Sequence, residues 1–524
     1  MRFSGLSGTH PARGILNDNA RGTTIVGNVY ERQQNENGHE LRTIIISRFR
    51  VFFVVVALTE GLTATAAVAN DAHTYRVDVD PELHRLDVHA TFRTPVSDIS
   101  ARSRSAAQFL KDARRCDDGA PIRVRGHRLI TPPGGITCLR YSVDLQGAAR
   151  AERRNHGLHA SNVIVSPTVW MWRPRLGGYD EIHVRFDVPE GMRVSVPWEP
   201  VSADDHTYTL RASPQSGNAV AIFGRFESSV VTVAGAALRV DVPRTREPVA
   251  LAPTVEWVRE AARNITLAYG RFPNPAARVI VFPMATSPWT SSSPVYFGRV
   301  IRDGGETVEL LIDPRKPQEA FYTDWTATHE LSHMMLPYLR REQRWLSEGF
   351  AQYYQNVLLA RAGRYSQRDA WQKLYDGFER GRASAPTLSP NQATGRGERN
   401  TRMKIYWSGA ALALMADVEL RRRSNGAESL DDALSRFQTC CLPSQRAWSG
   451  KELVTAFDAL LDEPVFEGLY RQYADTAGFP DVRPLLLRLG VTVVNGEVKL
   501  ENDAELAEIR AALTARRYTD EPGK

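Results

Sequence analysis

From residue 74 to residue 242 apolar and polar positions alternate in short runs: YRVDVD at 75–80, LDVHATF at 86–92, IHVRFDV at 182–188, MRVSV at 192–196 and VVTVAGAALRVDV at 230–242. A period of two, broken by Gly, Pro, Asn and Asp, predicts antiparallel strands joined by turns and stacked as a sandwich. Past Pro253 the period changes. TVEWVREAARNITLAYGRF (254–272) has apolar residues at helical spacing, while ARVIVFP (277–283) and ETVELLI (306–312) read as strands, with an edge strand in SPVYFGRVIR (293–302). From 317 to about 480 nearly every segment carries a helical pattern. The tail closes with VTVVNGEVKL (491–500), whose Asn-Gly suits a tight hairpin, and a helix from about 503.

A chain of 524 residues exceeds what one core organises. The changes of period divide it into an extension with a leader segment at 1–69, a sheet domain at 70–245, a mixed domain at 246–440 and a helical region with a small hairpin at 441–524. The expected fold class is multidomain α+β, an N-terminal antiparallel β-sandwich followed by a mixed domain and a helical C-terminal region.

Composition narrows the function classes. The chain is 42% apolar and 24% charged, with a net charge of +6, ordinary values for folded domains. Its basic residues are spread along the chain; RRR at 421–423 reads as a solvated helix end, and no segment resembles a nucleic-acid module, so no nucleic-acid partner is expected. Residues 1–41 are polar and without period. They precede Arg42, Arg48 and Arg50, the apolar run Val51–Leu58 and small residues at Ala67-Val68-Ala69. This order is that of a secretory signal cleaved near Ala69, and it places the mature chain in the periplasm or outside the cell; a retained membrane tether is the alternative. In an oxidising compartment Cys116 and Cys138 can close a loop. Cys440 and Cys441 are adjacent and are expected to be free or to pair elsewhere.

The chemistry concentrates in TATHELSHMMLPYLRREQRWLSEGFAQYY (326–354). Pro317 opens a helix that Pro337 stops, so His329 and His333 lie one turn apart, where two imidazoles can reach one tetrahedral ion. Glu330 sits at the flank of that face, where a carboxylate serves as general base on a water rather than as a ligand. A third ligand is needed. After the PYLRREQR connector Glu348 enters in the first turn of the next helix and can face the histidines.

His329, Glu330, His333 and Glu348, with WLSEGFAQYY around the last, resemble the zinc motif of the gluzincin metallopeptidases. The likeness is nearest to the glycyl aminopeptidases and more distant to the membrane alanyl aminopeptidases. It continues through NVLLARAGRYS (356–366) and KIYWSGAALALMADVELRRRSNGAESLDDALSRF (404–437), and covers about residues 320–440. The resemblance implies a thermolysin-like catalytic domain at 246–440 and zinc held by His329, His333 and Glu348. It also implies that Tyr406, in YWSG, stabilises the oxyanion, and that peptides or proteins are the substrates.

Two departures stand out. Related aminopeptidases carry a Gly-rich run with an amine-binding Glu on the edge strand, and SSSPVYFGRVIRDGGETVELLID (291–313) has no such run; Glu306 and Glu309 are the available substitutes. The connector between His333 and Glu348 is also shorter than is usual. Amino-terminal and internal cleavage both stay open on these grounds. The competing readings are an exported zinc-binding scaffold that does not turn over substrate and an adhesin acting through the sheet domain; the base at Glu330 argues against the first, which has no use for it.

Overall fold

A computed structural model describes residues 72–518, apart from 152–156, 160, 179, 203–205, 215–218, 246–247, 285–291 and 398. The leader segment and its cleavage position lie outside the described residues.

The alternating runs form strands as their period demands. In His73–Val79 the side chains of Tyr75, Val77 and Val79 are buried, and in Arg85–Val96 those of Leu86, Val88, Ala90 and Phe92. These two strands are central in a seven-stranded sheet ordered Glu199–Pro200, Thr207–Arg211, Glu181–Asp187, His73–Val79, Arg85–Val96, Ile136–Asp144, Leu110–Arg115. The sheet is not wholly antiparallel, as its alternation suggested. His73–Val79 pairs in parallel with Glu181–Asp187, because the chain makes a long crossover between them and re-enters from the same end. Trp170, Trp172, Phe186, Trp198 and Phe223 fill the core beneath it and join the sheet to a four-stranded one that includes Asn162–Val165 and Ala221–Gly224. Cys116 and Cys138 are disulfide-bonded.

The hairpin Glu227–Val233/Ala236–Val242 departs from the expected grouping. Instead of closing the N-terminal sheets it is hydrogen-bonded into a second sheet, ordered Glu227–Val233, Ala236–Val242, Ala276–Pro283, Glu306–Ile312, Val295–Arg302. Alternation reports burial on one face, and it carries no information about which sheet supplies that face. The two parts are also packed together. Ile164, Val220 and Ile222 meet Ile280, Phe282 and Leu311, and the buried Arg278 donates to Ser195 Oγ at 3.0 Å and to the Val220 carbonyl at 2.7 Å.

Val295–Arg302 is the outer strand of this second sheet, antiparallel to Glu306–Ile312, as its sequence position suggested. Against the other edge of the sheet, on Glu227–Val233 and Ala236–Val242, the helix Leu251–Thr266 buries Trp257, Val258, Ala261, Ala262 and Ile265 at helical spacing. The 317–336 region is two helices rather than one. Gln318–Thr323 ends at Asp324, whose carboxylate accepts the Thr326 N–H at 2.8 Å and starts Thr326–Ser332; His333–Met335 then continue as a 3-10 turn.

The helical region is built around Arg344–Arg361 and Arg402–Arg423, which pack against each other. Their approach is set by two glycines. A Cβ on Gly349 would stand 2.2 Å from Gly409 Cα, and one on Gly409 2.1 Å from the Trp345 carbonyl oxygen, so a side chain at either position would force the helices apart. At the far end of Arg402–Arg423 the expected solvated arginine run is only partly exposed. Arg421 is buried against Asp417 at 2.9 Å, while Arg422 and Arg423 pair with Glu419. Cys440 and Cys441 bond to each other, contrary to the expectation from their adjacency. Asn495 and Gly496, both at positive φ, turn the hairpin Val491–Val494/Glu497–Leu500 as the Asn-Gly pair predicts.

Candidate active site

Helical spacing brings the two histidines to one point. Their rings lie 5.0 Å apart and nearly perpendicular, and both are buried. Glu348, in the second turn of Arg344–Arg361 rather than its first, enters from the opposite side. Its Oε2 is 3.4 Å from His329 Nε2 and 3.5 Å from His333 Nε2.

The atoms turned away from this point are all engaged. His329 Nδ1 is 2.7 Å from Gln355 Oε1 and His333 Nδ1 3.0 Å from Ser347 Oγ. With Nδ1–H donated to these oxygens, each Nε2 carries its lone pair inward. Arg344 Nε donates to Glu348 Oε1 at 2.7 Å, which leaves Oε2 facing the histidines. Two imidazole nitrogens and one carboxylate oxygen, mutually within 4.8 Å, are a zinc donor set. A tetrahedral ion with bonds of about 2.0–2.1 Å has ligand–ligand edges of about 3.3–3.4 Å, close to the two carboxylate–imidazole separations. The residues present therefore fit zinc, and the fourth position is left to water or substrate.

Burial and charge set the protonation states. Burial alone would raise the Glu348 carboxyl, yet the two imidazoles facing it and the charge of Arg344 hold it well below the usual carboxylate range. Burial is also the largest influence on His329, acting downward, but Glu348, Glu330 and Gln355 together outweigh it and lift the imidazole. Glu330 behaves in the opposite way to Glu348. Desolvation dominates over the neighbouring histidines and raises its carboxyl above the ordinary value.

Glu330 owes its place to the edge strand. A Cβ on Gly298 would lie 2.6 Å from Glu330 Cγ and 2.8 Å from Thr326 Cγ2, so strand and zinc-motif helix meet where the strand has no side chain. The Tyr406 ring stacks on His329 with centroids 5.9 Å apart, and its hydroxyl lies within hydrogen-bonding reach of Glu348 and Arg344. Burial first, and the Glu348 carboxylate second, push the phenol above its ordinary value, so it is a donor at neutral pH. Trp325, 41% exposed, stands edge-on to His329 at 5.4 Å.

All five residues singled out from the sequence thus converge. Glu306 and Glu309 do not join them. Glu306 is paired with Arg302 at 2.9 Å and the fully buried Glu309 with Arg299 at 2.6 Å, so the charge of each is already met by an arginine. Gln355, Ser347, Arg344 and Gly298 escaped the sequence reading. The first and third were within reach of it, since Arg344 and Gln355 stand four before and seven after Glu348 on its helical face.

Residues 326–411 match the family model described as M61 glycyl aminopeptidase. Among solved structures, the chain is similar to an aminopeptidase N family protein from Idiomarina loihiensis, at 12% identity with a TM-score of 0.57, covering 80% of this chain and 78% of that one. It is also similar to a two-domain M1 zinc metallopeptidase mutant bound to L-arginine, at 14% identity with a TM-score of 0.50, covering 78% and 95%. Among curated proteins none matches the chain. The fold is the mixed α+β one of these peptidases, with sheets and a helical C-terminal region. The matched segment carries the zinc motif, and the chain is an aminopeptidase-like zinc metallopeptidase, as its resemblance to the gluzincins implies.

Proposed function

We propose that this chain is an exported peptidase in which Glu330 is the general base and Tyr406 the oxyanion donor. The observation that carries the reading is the convergence of three inward-turned ligand atoms beside a desolvated carboxylate that stands outside the donor set. Zinc in this donor set supplies a Lewis acid that polarises the scissile carbonyl and lowers the pKa of a water. Glu330 takes the proton of the attacking water and passes it to the leaving amine; its raised affinity for a proton suits both transfers. Tyr406 donates its hydroxyl to the oxygen on which charge develops, and Arg344 holds Glu348 in its ligating posture. The outer strand Val295–Arg302 passes directly beside Glu330, so an extended peptide pairing with it would present its backbone to that carboxylate.

Export is supported by the charged, apolar and small-residue order of 42–69 and by two disulfides, which persist in oxidising compartments. No helix of the described residues is long and apolar enough to cross a membrane, and a tether through 51–58 remains the alternative to cleavage. Fractionation of cells expressing the tagged full chain, with mass analysis of its amino end, decides between them. A chain confined to the cytoplasm would refute both.

The catalytic reading is tested on the purified chain by metal analysis and by digestion of a mixed peptide library. About one zinc per chain is expected, with peptide products that vanish on chelation, return with zinc, and do not form with Glu330→Gln. A chain that holds zinc and cleaves nothing would be the scaffold instead. Mapping the cut positions separates amino-terminal from internal cleavage.

A further inference from the structure

One flank of the site is strongly cationic. The connector turn carries Arg340, Arg341 and Arg344, the last bonded to the ligand Glu348, and the stretch before the Tyr406 helix, which packs against that turn, carries Arg396, Arg399 and Arg402. The two segments, 340–344 and 396–402, carry six arginines against two glutamates. All six are exposed. Arg344 is tied to Glu348 and Tyr406, whereas the other five side chains form no ion pair among the described residues. Elsewhere in the helical region several exposed arginines are paired, Arg422 and Arg423 with Glu419, Arg483 with Glu379 and Arg488 with Glu505. Arg368, Arg380 and Arg471, which form no ion pair among the described residues, are scattered along the chain rather than grouped.

These arginines are fixed relative to the zinc ligands. Trp345 Nε1 donates to Asn391 Oδ1 at 2.8 Å, which anchors the helix Pro390–Arg396 to the one that carries Glu348. A capping box at Ser389 starts that helix and Gly397, at φ 61°, ends it, with the Arg341 guanidinium against the glycine. Arg402 lies one turn before Tyr406 on the exposed stripe of the same helix. A peptide held at Tyr406 therefore has Arg402 one helical turn away and Arg344 at the ligand Glu348. Like charges held together with few counter-charges raise the local potential and cost stability, unless an anion is met there.

We infer that this rim is a recognition surface for acidic peptide segments, so that the site prefers substrates with Asp or Glu within a few positions of the scissile bond. The inference rests on the peptidase reading above and adds a substrate class to it. The carboxylates of such a segment are met by guanidinium forks, which bind them with two parallel hydrogen bonds where a lone ammonium offers one point of charge.

The test uses the zinc-loaded full chain and two peptides of one cleavable sequence, with neutral or with Asp residues around the scissile bond. The acidic peptide is expected to show about tenfold higher kcat/KM at low salt, a ratio that shrinks towards one in roughly 0.5 M NaCl. In Arg399→Glu/Arg402→Glu the ratio falls to one or below, while Arg399→Lys/Arg402→Lys keeps most of it; unchanged zinc content and melting temperature establish that the variants are folded. A second arm reads binding alone, by fluorescence anisotropy of both labelled peptides on Glu330→Gln chain, with and without the two charge reversals. If the wild-type chain cleaves neither peptide, the peptidase reading fails, and tighter binding of the acidic peptide, lost on charge reversal, still upholds the rim. Equal handling of the two peptides by the wild-type chain, or a preference that survives charge reversal, overturns it.

Discussion

Two sides of the helix Arg344–Arg361 bury charge in different ways. At 100° per residue Glu348 and Gln355 share one side, and Tyr353, Tyr354 and Arg361 stand between about 140° and 240° away from Glu348. On the latter side the groups close on protein partners. Tyr353 donates to Asp417 at 2.8 Å, Tyr354 to Asp431 at 2.9 Å, and Arg361 and Asp431 form a fully buried ion pair at 2.9 Å. On the former side three ligand atoms converge, and a fourth polar group, the Glu330 carboxylate, makes no hydrogen bond among the described residues. Buried charge that closes on itself fixes where helices sit, and buried charge left incomplete awaits a metal and a substrate. Substitutions on the two sides should therefore separate stability from turnover.

The largest separation is expected at Glu330. Glu330→Gln keeps the size of the side chain and removes the base, and kcat should fall on the order of 10^2–10^4-fold. Zinc content and melting temperature should stay at wild-type values, since Glu330 ligates nothing. A variant that lost its zinc would place Glu330 among the ligands and blur the distinction between the two sides.

Asp431→Ala is the mirror experiment. It leaves the buried Arg361 without its counter-charge and Tyr354 without its acceptor, a change that typically costs about 3–5 kcal/mol. Denaturant unfolding should show that loss, with zinc per folded chain and kcat per folded chain both close to wild type. A fall in zinc affinity at matched folded fraction would show that the network sets the geometry of Glu348 as well as holding helices together.

Tyr406→Phe comes next, at about 3 kcal/mol of transition-state stabilisation, or roughly a hundredfold in kcat. The ring that stacks on His329 is retained, so zinc affinity should be unchanged and the loss confined to the hydroxyl. Pre-steady-state kinetics on one peptide reads this directly. An unaltered chemical step would remove Tyr406 from the mechanism.

The zinc ligands and Glu330 were legible in the sequence because a helix converts spacing into direction: four residues return a side chain to the same face. Strands offer no such conversion across distance. The hairpin 227–242 alternates as well as any N-terminal strand, yet pairs with Ala276–Pro283, and only tertiary packing decides between two sheets. The split at Asp324 was hidden because its cause is a carboxylate capping a helix two residues on, in a stretch with no Gly or Pro to mark the break. The helix–helix approach was half visible. Gly349 follows Glu348 in SEGF and Gly409 stands three after Tyr406 in YWSG, but their mutual contact is a property of two segments sixty residues apart.

The smallest effect is the most informative about the ligand side, and it belongs to Gln355. Its Oε1 accepts from His329 Nδ1 at 2.7 Å and so selects the tautomer that turns Nε2 inward. Gln355→Ala removes that acceptor without touching a ligand, and partners of this kind typically change metal affinity 10–100-fold. Competition with a chromophoric chelator should show weaker zinc binding by that factor, while kcat at saturating zinc stays within a few-fold of wild type. Gln355→Glu restores an acceptor and should recover most of the affinity, an outcome that a merely space-filling role for Gln355 would not produce. If the Ala variant binds zinc as tightly as wild type, the imidazole is oriented by the metal and by Glu348 alone, and the preorganisation attributed to this side of the helix shrinks to Arg344 and Ser347.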